Sequence, residues 1–203
     1  MPGGEQAEIV VEEEAGKIDI NAASLPTLER FFVGIAQDKS LGSKIAQNAL
    51  NFRKALQRRE PSSQTTQTNV ANEIKSSGFL TILELDQIDG MSPALLRSVM
   101  RYTTTLSGRV EPMPEAMTPA LRLLMGINPG RAERRSPTLP GSFTIRIDIR
   151  AIDGSRYVRE ALVSFGAASA QPYIIREWRR GDIVGSVPSH LPNSGAIQAC
   201  FKP

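Results

Sequence analysis

Hydrophobic periodicity changes twice along this chain, and the change narrows the available folds more than any other feature. Near the start, Lys17-Ile18-Asp19-Ile20-Asn21 alternates polar and apolar, the period-2 mark of a half-buried strand. Far downstream, Phe143, Ile145, Ile147 and Ile149 alternate with Thr144, Arg146, Asp148 and Arg150. Between the two, apolar residues recur at helical spacing. Neither strand group has enough members to fold well alone. The economical solution is an α+β chain in which both groups share one antiparallel sheet and a helical block is inserted between its strands.

The details follow the same logic. Glu8 to Glu14 reads EIVVEEE, and Ala15-Gly16 suits a tight turn, so residues 1 to 21 are expected to form a β-hairpin belonging to the sheet. Ser24 is a suitable N-cap, with Pro26 in the first turn where a missing N–H costs nothing. Leu25, Leu28, Phe31 and Phe32 form one apolar stripe, and Gly34 is expected to end that helix. From Leu41 to Arg58 a longer helical pattern places Ile45, Ala49, Phe52 and Leu56 on one face. SSQTTQT at residues 62 to 68 reads as a polar, low-complexity loop.

Ile82, Leu85 and Ile88 predict a short helix, Gly90 a sharp turn, and Ser92-Pro93 the cap of the next helix, with Leu95, Leu96, Val99 and Met100 inward. A further helix is expected from Met113 to Ile127, capped by Thr118-Pro119 and stopped by Gly126. The helical block thus covers residues 22 to 128. Residues 129 to 141 read as a linker. Strands are expected over 143–149, 156–165 and 173–179, the first two joined at Asp153-Gly154, so residues 142 to 181 supply the C-terminal part of the sheet. Residues 182 to 203 read as a loose tail.

Composition removes several function classes. The 203 residues are 40% hydrophobic but only 5% aromatic, enough for a core built mainly of aliphatics. The single cysteine, Cys200, cannot form an intramolecular disulfide, a CxxC pair or a four-cysteine zinc site. The single histidine, His190, excludes HExxH, and its Pro-, Gly- and Ser-rich surroundings offer little to orient a catalytic imidazole. No nucleophile–base pair, P-loop or GxGxxG fingerprint occurs, so no catalytic residue is assigned. Asp19, Asp86 and Asp89 lie near turns, where carboxylates cap and solvate. No run approaches the roughly 18 apolar residues that cross a bilayer. Net charge is only +3, but its distribution is uneven. Residues 1 to 16 hold five Glu and no Lys or Arg, while residues 122 to 180 hold eleven Arg against five acids. An Arg-rich half fits nucleic acid or acidic lipid, or simply a solvated strand face.

Three sites share a pattern in which a short apolar helix ends in a glycine: Val33-Gly34-Ile35, Asp89-Gly90-Met91 and Met125-Gly126-Ile127. Either these are ordinary glycine caps in a bundle, or they are repeated helix–hairpin–helix units. Such units bind DNA when hairpin amides grip phosphate. Here Asp86 and Asp89 precede the hairpin, Pro93 removes a donor, and the nearby cations are only Arg97 and Arg101. The hairpin at Gly90 therefore reads as a packing device. A nucleic-acid-binding protein of this type remains the alternative, because Asn21-Ala22-Ala23-Ser24 also resembles DNA-uptake proteins.

A family resemblance spans most of residues 8 to 180. Glu14-Ala15-Gly16-Lys17-Ile18-Asp19-Ile20-Asn21-Ala22-Ala23 resembles the D/E-x-G-K/R-I-N/D-L-N-x-A opening of minor pseudopilin K of the bacterial type II secretion system. Phe79-Leu80-Thr81-Ile82-Leu83-Glu84-Leu85 to Gly90-Met91 is similar to the family's F-x-S-x-x-E-L-x-x-V-x-G-M. Phe143-Thr144-Ile145-Arg146-Ile147 and Tyr157-Val158-Arg159-Glu160-Ala161 resemble its terminal strands. Tyr173 to Arg179 resembles its closing Y-x-x-x-x-W.

The resemblance implies a pilin-like sheet with a large inserted helical domain and no enzymatic activity. It implies a place at the tip of a periplasmic pseudopilus, beside minor pseudopilins of the I and J types, with the exported substrate or the outer-membrane secretin as further contacts. It also implies anchoring in the inner membrane by an N-terminal helix that these 203 residues do not include. The face carrying Phe143, Ile145, Ile147 and Ile149 is then the expected partner-facing surface. Calcium occurs in the family, but the family's acidic D-W-R-D-x-D appears here as Asn51-Phe52-Arg53-Lys54. Hard cations need several oxygen ligands, so no metal or other cofactor is expected.

Overall fold

The computed structural model describes residues 6–58, 78–127, 141–166 and 172–181. The expected loop at 62–68, nearly all of the linker at 129–141, the tail, His190 and Cys200 lie outside them. The chain is α+β, with a four-stranded antiparallel sheet in the order β1-β4-β5-β6. Its strands are β1 (Gln6–Glu13), β4 (Gly141–Arg150), β5 (Arg156–Phe165) and β6 (Ile174–Arg180). Between β1 and β4 in sequence come β2 (Ile18–Asp19), α1 (Leu25–Ala36), α2 (Lys39–Arg58), a 3₁₀ helix (Ile82–Gln87), α3 (Pro93–Met100), β3 (Thr103–Thr104) and α4 (Pro119–Leu124).

The strands at the two ends do share one sheet, because β1 pairs antiparallel with β4, Ile9 opposite Ile147 and Val11 opposite Ile145. The expected N-terminal hairpin does not form. Glu14–Gly16 makes a 3₁₀ turn, with the Lys17 amide donating to the Glu14 carbonyl at 3.0 Å. This turn carries the chain out of the sheet. Ile18 and Asp19 then pair in parallel with Thr103 and Thr104, so the segment between β1 and β4 is not wholly helical. Alternation marked residues 17 to 21 as extended but could not name their partner. Ile18, Asp19 and Ile20 are all buried there.

Other boundaries move for local reasons. Gly34 does not end α1; it lies inside the last turn, where a Cβ would sit 2.2 Å from the Leu124 carbonyl oxygen. Its function is the close approach of α1 to the end of α4. Gln37, left-handed at φ 54°, closes the helix, its amide donating to the Val33 carbonyl. The expected helix from Met113 shortens to Pro119–Leu124 because Thr118 precedes a proline and is extended at ψ 150°. The 82–87 segment is 3₁₀, matching the three-residue spacing of Ile82, Leu85 and Ile88, all of which are buried. Ser24, Ser92 and Thr118 cap as expected, each accepting from an amide three residues on.

The main hydrophobic core belongs to the region between β1 and β4. It gathers Ile18, Phe31, Phe32, Ile45, Leu85 and Leu121, among others, from β2, the 3₁₀ helix and α1, α2 and α4.

Candidate functional site

Register sorts the sheet's side chains onto two unlike faces. One face carries Arg146, Asp148, Arg156, Glu160 and Arg179. Arg146 and Arg179 both donate to the Glu160 carboxylate, at 2.7 and 2.9 Å. Arg156 Nε donates to Asp148 Oδ1 at 2.8 Å. The Arg156 bond holds the Asp148 carboxyl below its ordinary range, against a smaller opposing effect of burial. At Glu160 burial is the largest single influence and acts upward, but the two arginines together outweigh it and the carboxyl is lowered.

The other face is mainly apolar, with Arg159 and Arg180 at one end of it. All four sequence-predicted residues lie on it: Phe143 is buried, Ile145 and Ile147 are half-buried, and Ile149 is exposed. The structure adds residues that the sequence reading did not assign to it. Ile9 and Val11 extend the face across β1, and Ala161, Val163, Ile175 and Trp178 extend it across β5 and β6. Period-2 alternation along 157 to 165 was the available signal for β5. For β6 the register shift between Leu162 and Val163 hides the pattern. Ile9 is 64% exposed and Trp178 62%. A shallow groove of about 400 Å³ runs across this face, lined by Ile145, Ile147, Arg159, Ala161, Ile175 and Trp178. Such a groove recognises an apolar stripe rather than a charged ligand.

A buried triangle joins the sheet to the helical region. Lys17 Nζ donates to Thr144 Oγ1 at 2.7 Å and pairs with Glu14 Oε1 at 2.6 Å, and Thr144 donates to the same carboxylate oxygen at 2.6 Å. In the sequence Lys17 reads as the polar partner in an alternating strand and as the K/R of the pseudopilin-like opening, and neither reading pairs it with Glu14 and Thr144. Above the triangle, between β6 and the 3₁₀ helix, lies a polar cleft of about 330 Å³ that includes Thr103, Thr104, Arg176 and Arg179.

The turn glycines are placed differently from one another. Gly90 has φ +97° and its α-carbon faces Ile45 and Leu41 of α2. Lys44 pairs with Asp89 at 2.8 Å, lowering that carboxyl, and Asn48 donates to the Asp89 carbonyl. The hairpin therefore packs on a helix beside a carboxylate, an arrangement poor for phosphate. Gly126, at φ +62°, follows α4 with open space around it. Arg53, in the segment compared with the family's acidic motif, donates to the carbonyls of Ile20 and Ala23 at 3.2 and 3.0 Å. Among the described residues, no group of three or more His, Cys, Asp or Glu is placed to hold a metal ion. No described helix is long and apolar enough to cross a membrane.

Compared with known proteins, the chain matches no family model and no curated protein.

Proposed function

We propose that the chain is a non-enzymatic minor pseudopilin of the type II protein secretion system, acting at the tip of the periplasmic pseudopilus in its assembly and in protein export. The observation that carries this reading is the open sheet face on Ile145, Ile147, Ala161 and Trp178, set against an opposite face that carries the ion pairs of Glu160 with Arg146 and Arg179 and of Asp148 with Arg156. An amphipathic sheet of this kind is half of a two-layer structure. In a pilin-like protein an N-terminal helix supplies the second layer and anchors the protein in the inner membrane. The helical region between β1 and β4 is read as the inserted domain that distinguishes the K-type subunit. Minor pseudopilins of the I and J types are the proposed partners, with exported substrate or secretin as further contacts.

The test is co-purification of the chain with soluble domains of the I and J types, with and without the soluble half of a pilin-type helix fused ahead of it. Association is expected, and Ile147→Asp should abolish it while leaving the helical region folded. Failure of the wild type to associate in either form would overturn the assignment. Normal binding by a folded Ile147→Asp would reject this face as the contact. Tight duplex DNA binding that persists at physiological salt would favour the nucleic-acid alternative.

A further inference from the structure

The sheet has two edges, and their charges are opposite. Among the described residues, β1 and β6 each pair with one strand only. β1 carries Glu8, Glu12 and Glu13 and no cation, while β6 carries Arg176, Arg179 and Arg180 against Glu177. Glu12 lies 3.8 Å from Lys17 and 3.7 Å from Arg101, so the end of β1 near Glu13 faces the molecule's own cations. The stretch from Gln6 to Ile9 is exposed, as are Arg176 and Arg180.

Unpaired strand edges add strands unless something prevents it. Like-with-like pairing here is disfavoured: β1 against β1 sets glutamates together, and β6 against β6 sets arginines together. Strand direction permits the unlike pairing. Four strands that alternate in direction leave β1 and β6 antiparallel to each other. A second copy shifted sideways along the sheet therefore brings its β1 antiparallel to β6 of the first, with the apolar faces on the same side. Side-chain parity also agrees. Ile9 shares its face with Ile147 and Trp178, and Glu8 shares the other face with Asp148, Glu160 and Arg179. One register sets Ile9 opposite Trp178 and Glu8 opposite Arg179, preserving both faces.

We propose that two copies of this chain associate head-to-tail by addition of the β1 edge of one to the β6 edge of the other. The contact is heterologous, so it can repeat. It does not depend on the function proposed above, because it is set by the strand edges, and of the apolar face it engages only the marginal Ile9 and Trp178.

Sedimentation equilibrium of the full chain at low salt tests it. The wild type should exceed monomer mass, and added salt should dissociate it, because exposed charges are screened. Glu8→Lys alone should weaken association about tenfold, as should Ala7→Lys, which this register sets opposite Arg180. Adding Arg180→Glu to Ala7→Lys turns repulsion into attraction across the junction and should recover it. These positions are exposed, and unchanged circular dichroism will check that each variant is folded. A wild type that stays monomeric at millimolar concentration, association indifferent to both lysine substitutions, or a double variant Ala7→Lys with Arg180→Glu that does not recover would each overturn the proposal.

Discussion

In the region between β1 and β4, Ile18, Phe31, Phe32, Leu85 and Leu121 are enclosed on every side, whereas in the sheet Ile9, Val11 and Trp178 stand in solvent. The two regions use similar residues and reach different ends. Helices and 3₁₀ turns can approach from several directions and close a core of aliphatics around Phe31, Phe32, Phe79 and Tyr102, the first two packing at 5.2 Å between ring centroids. Four strands have only two faces. One is neutralised internally by Arg146, Glu160 and Arg179, and the other can be closed only by a further layer. The helical region thus closes a core of its own, although Leu80, Leu83, Val110 and Leu123 stay exposed on its surface, while the sheet leaves much of one face open.

Removing an enclosed side chain should break this contrast from the closed side. Phe31→Ala should cost about 3–5 kcal/mol, because both transfer and cavity terms apply in a core with no slack. Urea unfolding followed by far-UV circular dichroism measures it. A loss below about 1 kcal/mol would mean that the helical region is as open as the sheet.

The joint between the regions comes next. Lys17→Met leaves Glu14, only 3% exposed, without its cation. Breaking a buried pair from one side costs about 3–5 kcal/mol, and the low end is expected because Thr144 still donates to Glu14. Trp178 is the single tryptophan and sits in the sheet, so its fluorescence follows the sheet while circular dichroism follows mainly the helices. The variant should separate the two signals, the sheet unfolding first, and adding Glu14→Gln should bring them back toward coincidence. Coincident transitions in Lys17→Met would show that the triangle is not what couples the regions.

How far each part was legible in the sequence follows the same division. Caps at Ser24, Ser92 and Thr118 and the strands from 141 to 180 were readable because their signals are local: a hydroxyl before a proline-opened helix, or alternation over many residues. The place of Ile18 was not, since alternation marks an extended segment but carries no address for its partner. Gly34 misled for a related reason. A glycine near a helix end suggests a stop, but the contact that requires it comes from Leu124, ninety positions away. The open face was half legible. Its β4 row was visible as Phe143, Ile145, Ile147 and Ile149, while Ile9 and Trp178 joined it only through the register.

Acid should loosen the sheet before the helical region. Asp148 and Glu160 are both held below their ordinary range. A carboxyl with a lowered folded pKa contributes stability that is present above its unfolded value, about 4, and is lost as pH falls through the folded value. In the helical region the lowered carboxyl of Asp89 is fully exposed, where an ion pair contributes little. The fluorescence transition should therefore shift to lower urea below about pH 4 more than the dichroism transition. Glu160→Gln should flatten the difference. Equal shifts in both signals would remove electrostatics as a distinction between the regions.

The smallest effect expected on the isolated chain comes from Trp178→Ala, and it sharpens the contrast most. In a closed core, truncating the largest side chain costs about 3–5 kcal/mol. On β6 the indole is 62% exposed and lines the open groove of the sheet. Exposed positions usually change stability by no more than about 0.5 kcal/mol, and urea unfolding read by circular dichroism should fall within that range. Partner capture should respond in the opposite way. An exposed indole beside an apolar groove is the kind of anchor that dominates interfaces, where truncation commonly costs about 2 kcal/mol or more. A stability loss as large as that of Phe31→Ala would show that Trp178 is already packed and the face already closed. Unchanged stability together with a marked loss of capture by the proposed I- or J-type partners would place the indole's contribution in an interface rather than in the fold of the chain.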